Sequence, residues 1–194
     1  DTPATLVATG MNGVPLTPDH GFPVRTVVPG YIGARSVKWL GRIVVSDRPS
    51  TNHYVARAYK LVDEDTDDEW SSAPPIENYV INSVTCVPSA GESVRAGELE
   101  VRGYCLADGL PERTIRTVEI SADGGRTWSQ AEITIDDQPC CWRIWSAAVQ
   151  VDKQTTELIV RATDSDGNRQ PETVPWNLKG YLFNAWHRTA IDID

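Results

Sequence analysis

From Ile76 to the C-terminus, short β-prone runs alternate with turn residues, and no stretch keeps the apolar period of a helix of about ten residues or more. The runs are Val80–Val84, Glu98–Tyr104, Thr117–Ser121, Trp142–Trp145 and Glu157–Ala162. Asp123-Gly124-Gly125 and Asp164-Ser165-Asp166-Gly167 are turn sequences among them. Within Glu98–Tyr104, Leu99, Val101 and Gly103 share one face, the alternation of a half-buried strand. Strands recurring every roughly 8–12 residues between turn signals predict a β-sandwich or barrel. Residues 76–194 suffice for one sandwich, and no solenoid-type repeat is visible.

The first sixty residues have another character, rich in Pro, Gly and Val, with turns at Asn12-Gly13, Pro18-Asp19 and Pro29-Gly30. Phe22–Val28 is a short β-prone run that Pro29 ends. Leu61–Trp70 then holds six acids in ten residues and leads into Ser71-Ser72-Ala73-Pro74-Pro75. Such a block repels itself, so an exposed loop or linker is expected there, with a domain boundary near residues 62–76.

The net charge of −9 excludes a nucleic-acid partner, which needs clustered Lys and Arg to neutralise phosphates. It leaves small anions open, because they respond to local charge. No apolar run reaches membrane-spanning length. Asp1–Gly13 lacks the basic and apolar regions of a secretory signal and reads as a chain joined part-way. Cys86, Cys105, Cys140 and Cys141 make no disulfide framework at this length and are expected as small buried hydrophobes. With His20, His53 and His187 far apart and no Cys/His ligand spacing, no metal ligand is assigned.

Ser121-Ala122-Asp123-Gly124-Gly125-Arg126-Thr127-Trp128 fits the Asp-box pattern of sialidase propellers. A propeller repeats the pattern in every blade, and here it occurs once, so a structural hairpin is favoured over a glycosidase. Asp19-His20-Gly21-Phe22-Pro23-Val24-Arg25 is a turn running into a short strand. On chemistry alone, His20 could be an ordinary turn histidine and Arg25 a surface charge. Gly33-Ala34-Arg35-Ser36-Val37-Lys38 gathers a glycine turn, two cations and a hydroxyl, a reasonable phosphate cradle although such turns are common.

Met11-Asn12-Gly13, Asp19–Arg25, Val28-Pro29-Gly30, Gly33-Ala34-Arg35 and Val37-Lys38-Trp39-Leu40 together resemble the end of the molybdenum-cofactor domain of the sulfite oxidase family. Trp176-Asn177-Leu178-Lys179-Gly180 and Asn184-Ala185-Trp186-His187-Arg188 are similar to the close of its dimerisation domain. The resemblance implies a mainly β chain: an immunoglobulin-like β-sandwich (residues 71–194, dimerisation) preceded by the tail of an α+β cofactor domain (residues 1–70). It implies that His20, Arg25, Ser36, Val37 and Lys38 contact molybdopterin, with Arg35 and Trp39 in support. The family's arginine in the anion pocket falls at Lys179, which keeps the charge but loses the bidentate fork. Nitrate reductases of the family carry an uncharged residue there, so Lys179 favours sulfite.

The implied activity is oxidation of sulfite to sulfate, with electrons passing to a haem or a cytochrome c-type acceptor. The cofactor would be shared with an upstream segment that brings the cysteine ligand of the molybdenum. None of the four cysteines lies upstream of His20, so these 194 residues alone are expected to be inactive. The implied partners are a second copy through the sandwich and the upstream cofactor domain. The implied compartment is the mitochondrial intermembrane space or the bacterial periplasm. Three alternatives stay open: a dimerisation module without catalysis, the related nitrate reductase chemistry, and a carbohydrate-binding sandwich.

Overall fold

The computed structural model describes residues 5–134 and 140–194. Two compact units are present, one made of Asp1–Tyr79 with Pro175–Phe183, the other of Val80–Val174 with Asn184–Asp194.

The first unit is built from short pieces. Strand β1 (Leu6–Ala8) pairs antiparallel with β4 (Arg25–Val27), placing Val7 opposite Thr26. Strands β2 (Gly10–Met11) and β3 (Val14–Pro15) form a tight hairpin over Asn12-Gly13, both at positive φ (53° and 80°). That is the Asn-Gly turn chemistry visible in the sequence. Single 3-10 turns occupy Pro18–His20 and Gly33–Arg35, and a π turn Tyr54–Ala58.

The acidic stretch is not the loop its charge suggested. It contains helix α1 (Asp67–Ser72), capped by Thr66, whose hydroxyl accepts from the Glu69 N–H. Asp67, Asp68 and Glu69 lie in the first turn, where unpaired N–H groups and the helix dipole favour negative charge. Glu69 also turns back to accept from the N–H groups of Asp63 (2.7 Å) and Glu64 (3.0 Å). The block buries surface after all through Val62 and Trp70, whose indole N–H donates to Asp65. Self-repulsion loses here because backbone donors take up the charge.

Pro175–Phe183 belongs to this unit although it lies late in the chain. The Leu178 N–H donates to the Val62 carbonyl (2.9 Å), and the Tyr181 ring stacks on Tyr59 at 5.5 Å.

The second unit is a two-sheet sandwich of immunoglobulin-like kind. Its strands are β5 (Asn82–Val87), β6 (Glu92–Val94), β7 (Gly97–Leu106), β8 (Ile115–Ser121), β9 (Ser129–Gln130), β10 (Glu132–Ile133), β11 (Arg143–Val151), β12 (Glu157–Asp164) and β13 (His187–Ile193). One sheet runs β10-β11-β7-β5 and the other β6-β13-β12-β8-β9, all antiparallel except β13 with β6. On β7 the inward residues alternate as the sequence predicted, with Val101 and Gly103 buried, and Cys105, Val118, Ile120, Trp145, Leu158 and Val160 also lie in the core. Gly103 has no room for a side chain, because a Cβ would overlap the Val84 carbonyl and the Trp145 ring. The absent side chain makes room for the ring of Trp145, the largest fully buried side chain.

Polar bonds also join the sheets. Gln170, buried to 1% exposure, accepts from the Ser83 hydroxyl (2.6 Å) on one sheet and the Ala162 N–H (3.2 Å) on the other. The Thr85 N–H donates to His187 Nδ1 (3.3 Å). Of the four cysteines, Cys105 alone is buried, and burial pushes its thiol up to about 12. Cys86 and Cys141 are exposed and Cys140 is half-buried, contrary to the expectation that all four would fill the core. On β5 Ser83 and Thr85 face inward, so the alternation itself turns Cys86 outward, and a bulge between Thr85 and Val87 then leaves Val87 exposed as well.

Candidate functional site

The 3-10 turn Pro18–His20 presents three consecutive carbonyls, and each takes a side-chain donor. Pro18 accepts from Trp39 Nε1 (2.9 Å), Asp19 from Lys38 Nζ (2.8 Å), and His20 from Arg25 Nη1 (3.1 Å). Gly21 closes the turn at φ 103°, donating its N–H back to Pro18. A Cβ at Gly21 would stand 2.9 Å from Lys38 Cβ and 3.2 Å from Arg25 Cβ. Glycine is therefore required twice, for its backbone angle and to let two cationic side chains converge.

The segment 36–40 runs beside β4. The Thr26 N–H donates to the Val37 carbonyl (2.9 Å), the Val37 N–H to Thr26 Oγ1 (2.7 Å), and the Leu40 N–H to Val24 (2.8 Å). Ser36 accepts from the Val28 N–H through its hydroxyl (3.0 Å) and from Arg25 Nη2 through its carbonyl (3.3 Å). His20, Arg25, Ser36, Val37 and Lys38 thus form one contiguous patch in the first unit. Their backbone contribution is smaller than a phosphate cradle would offer. The Ser36 N–H is donated to Gly33 and the Val37 N–H to Thr26, so neither of these two backbone donors is left for a ligand.

Charge is the distinctive property of the patch. Among the described residues no ion pair involves Arg25 or Lys38; both cations bond only carbonyls, in a chain of net charge −9. The Lys38 ammonium also lies 4.9 Å from the centre of the exposed Trp39 ring. The His20 ring is held through Nδ1 by Thr17 Oγ1 (2.7 Å), with no described protein partner at Nε2. Carbonyls hold a cation in place without cancelling its charge, so the patch suits an anionic group such as a phosphate ester.

Arg35 supports the patch, clamping the Ile76 carbonyl through Nε (2.9 Å) and Nη2 (2.6 Å). Lys179 is exposed, on the Pro175–Phe183 turn of the same unit, and no described hydrogen bond or ion pair joins its ammonium to the patch. Sequence reasoning missed Gly21 and the three carbonyls. The glycine was visible inside Asp19-His20-Gly21, but nothing local says what its missing side chain makes room for.

The Asp-box segment offers no comparable site. Asp123 accepts from the N–H groups of Arg126 (3.0 Å) and Thr127 (2.9 Å) and from the hydroxyls of Thr127 (2.6 Å) and Ser121 (2.8 Å). Those bonds, the Thr127 hydroxyl first, hold its carboxyl well below the usual carboxylate range. The carboxylate is spent on closing the β8–β9 hairpin, with Gly124 and Gly125 at positive φ. Trp128 and Trp186 pack edge to face at 5.0 Å, and the Arg161 guanidinium lies 3.7 Å from the Trp128 ring centre.

Comparison with known proteins gives two family matches: the Mo-co oxidoreductase dimerisation domain over residues 73–194 and the oxidoreductase molybdopterin binding domain over residues 2–54. The chain is 44% identical to the mitochondrial sulfite oxidase of Rattus norvegicus, over 97% of this chain and 36% of that protein. It is 36% identical to the NAD(P)H nitrate reductase of Hordeum vulgare, over 97% of this chain and 23% of that protein. The chain therefore spans about a third, or less, of the length of these relatives. The crystal structure of the sulfane dehydrogenase SoxCD from Paracoccus pantotrophus superposes with a TM-score of 0.80 at 25% identity, covering 98% of this chain and 51% of that one.

Proposed function

Since the chain belongs to the sulfite oxidase family of molybdopterin oxidoreductases, with a Mo-co dimerisation domain over residues 73–194, we propose that its first unit anchors the molybdenum cofactor for sulfite oxidation. The observation that carries this reading is the pair Arg25 and Lys38, held by carbonyls across Gly21 and in no ion pair among the described residues. That donor set fits a phosphate-bearing pterin. When bound, the cofactor supplies the two-electron redox chemistry that turns sulfite into sulfate.

The residues of this chain bind and orient. Arg25 and Lys38 take the phosphate, the His20 Nε2 edge meets the ligand, and the Ser36 hydroxyl and the Val37 main chain form the adjoining wall. Lys179 contributes positive charge to the pocket for the substrate oxyanion, which favours sulfite over the nitrate reduced by the barley relative. The sandwich makes a homodimer, and electrons leave to a haem or a cytochrome c-type acceptor. The rat relative is named as mitochondrial, which supports the mitochondrial intermembrane space over the bacterial periplasm; no described helix is long and apolar enough to cross a membrane.

The test is pterin retention. In the complete cofactor-bearing protein, Arg25→Gln with Lys38→Gln should lower pterin and molybdenum content after gel filtration, read by pterin fluorescence and elemental analysis. Unchanged content in the double variant would sink the anchoring role. It would leave the second reading, a dimerisation module without catalysis, which the match to the Mo-co oxidoreductase dimerisation domain over residues 73–194 supports.

A further inference from the structure

Lys179 sits on a turn whose shape is set by one neighbouring side chain. Asn177 Oδ1 accepts from the N–H groups of Lys179 (3.3 Å) and Tyr181 (3.0 Å), while its Nδ2 donates to the Tyr181 carbonyl (2.7 Å). The Gly180 N–H closes the turn on the Asn177 carbonyl (3.0 Å), with Gly180 at φ 66°. Trp176 lies over that glycine so closely that a Cβ there would overlap its ring. The back of the turn is fixed by the Leu178 N–H on Val62 and by the Tyr181–Tyr59 stack.

One asparagine therefore engages backbone atoms on both sides of Gly180, while the lysine between them contributes only its backbone N–H to the turn. The Lys179 side chain is exposed, and its ammonium enters no ion pair among the described residues. A charge on a flexible four-carbon stem binds a small anion well only if its point of departure is fixed, since any freedom it has must be lost on binding. We infer that Asn177 is the positioning residue for Lys179: its amide sets the direction in which the ammonium leaves the turn, and thereby the affinity of this unit for a small tetrahedral oxyanion. The inference rests on the reading that Lys179 serves the anion pocket.

The experiment uses the complete cofactor-bearing protein with inorganic sulfate as the probe, titrated by calorimetry, and sulfite kinetics alongside. Lys179→Ala should weaken sulfate binding on the order of tenfold, the worth of one charge-assisted contact. Asn177→Ala should weaken it by a similar factor, raise KM more than it lowers kcat, and add nothing further in the Lys179→Ala background. Asn177→Ser, whose hydroxyl can close the same turn at unchanged charge, should recover most of the loss. If Lys179→Ala weakens sulfate but Asn177→Ala does not, or if the two losses add, the positioning role falls while the anion-pocket reading stands. If Lys179→Ala leaves sulfate affinity unchanged, that reading falls and takes the inference with it.

Discussion

In the sandwich, strands of up to ten residues satisfy one another's backbone, and an apolar core around Trp145 fills the space between two sheets. In the other unit no described strand exceeds three residues, and several carbonyls are taken by side chains. Arg25 holds His20 and Ser36, Arg35 holds Ile76, Lys38 holds Asp19, and the buried Lys60 holds Trp70 (2.6 Å). Large apolar residues stay outside there: Val7, Phe22, Val37, Trp39, Ile43 and Trp176 are all more than half exposed. The contrast shows how a weakly laddered unit becomes a candidate site. Cations recruited to satisfy backbone oxygens keep their charge, so the groups that close the fold can also hold an anion.

The largest test of this contrast compares Trp145→Ala with Lys38→Ala. Emptying the most completely buried ring should cost the sandwich about 3–5 kcal/mol. Removing one exposed cation from a carbonyl should cost about 1 kcal/mol. Urea melts of both variants check the ratio, and a Lys38 variant as damaging as the Trp145 one would break the distinction. Gly21→Ala should fall between them, at about 1–3 kcal/mol, because the new methyl meets Lys38 and Arg25 at a positive φ. Its effect belongs to the first unit: hydrogen exchange should quicken at Thr26 and Val37 while the amides of β7 and β11 keep their protection.

The sandwich was legible because burial on one face writes a period of two into the sequence, as at Leu99, Val101 and Gly103. The candidate site was legible only as residue types. Arg25 and Lys38 stood out as cations near a glycine turn, but their grip on the Asp19 and His20 carbonyls joins residues 5 and 19 positions apart. The acidic stretch was misread although Thr66-Asp67-Asp68-Glu69 carries a helix-start signature; counting charge hid it. Cys86 was misplaced because its residue type was read and its face was not: Ser83 and Thr85 face inward, which turns Cys86 out. Nothing in the sequence says that Pro175–Phe183 leaves the sandwich for the other unit, since that depends on partners such as Val62 and Tyr59, more than a hundred residues away.

The smallest expected effect is a pH dependence confined to the sandwich. His187 on β13 is half-buried, and burial holds its pKa below the ordinary histidine value. The Thr85 N–H donates to Nδ1, so the folded state needs that nitrogen unprotonated to keep a bond between the sheets. Unfolding frees the ring to titrate near 6.5, so below that pH the unfolded chain binds a proton that the folded one refuses. The contribution is therefore fully present above about pH 6.5 and is lost as the pH falls towards the folded-state value. Urea midpoints should drop on acidification through this window, and His187→Gln should flatten that part of the profile. In the first unit Thr17 Oγ1 lies against His20 Nδ1, where it can act as acceptor or as donor. Were the flattening to appear with His20→Gln and not with His187→Gln, the pH-sensitive link would lie in the wrong half of the molecule, and the division between a ladder-built unit and a carbonyl-clamped one would need redrawing.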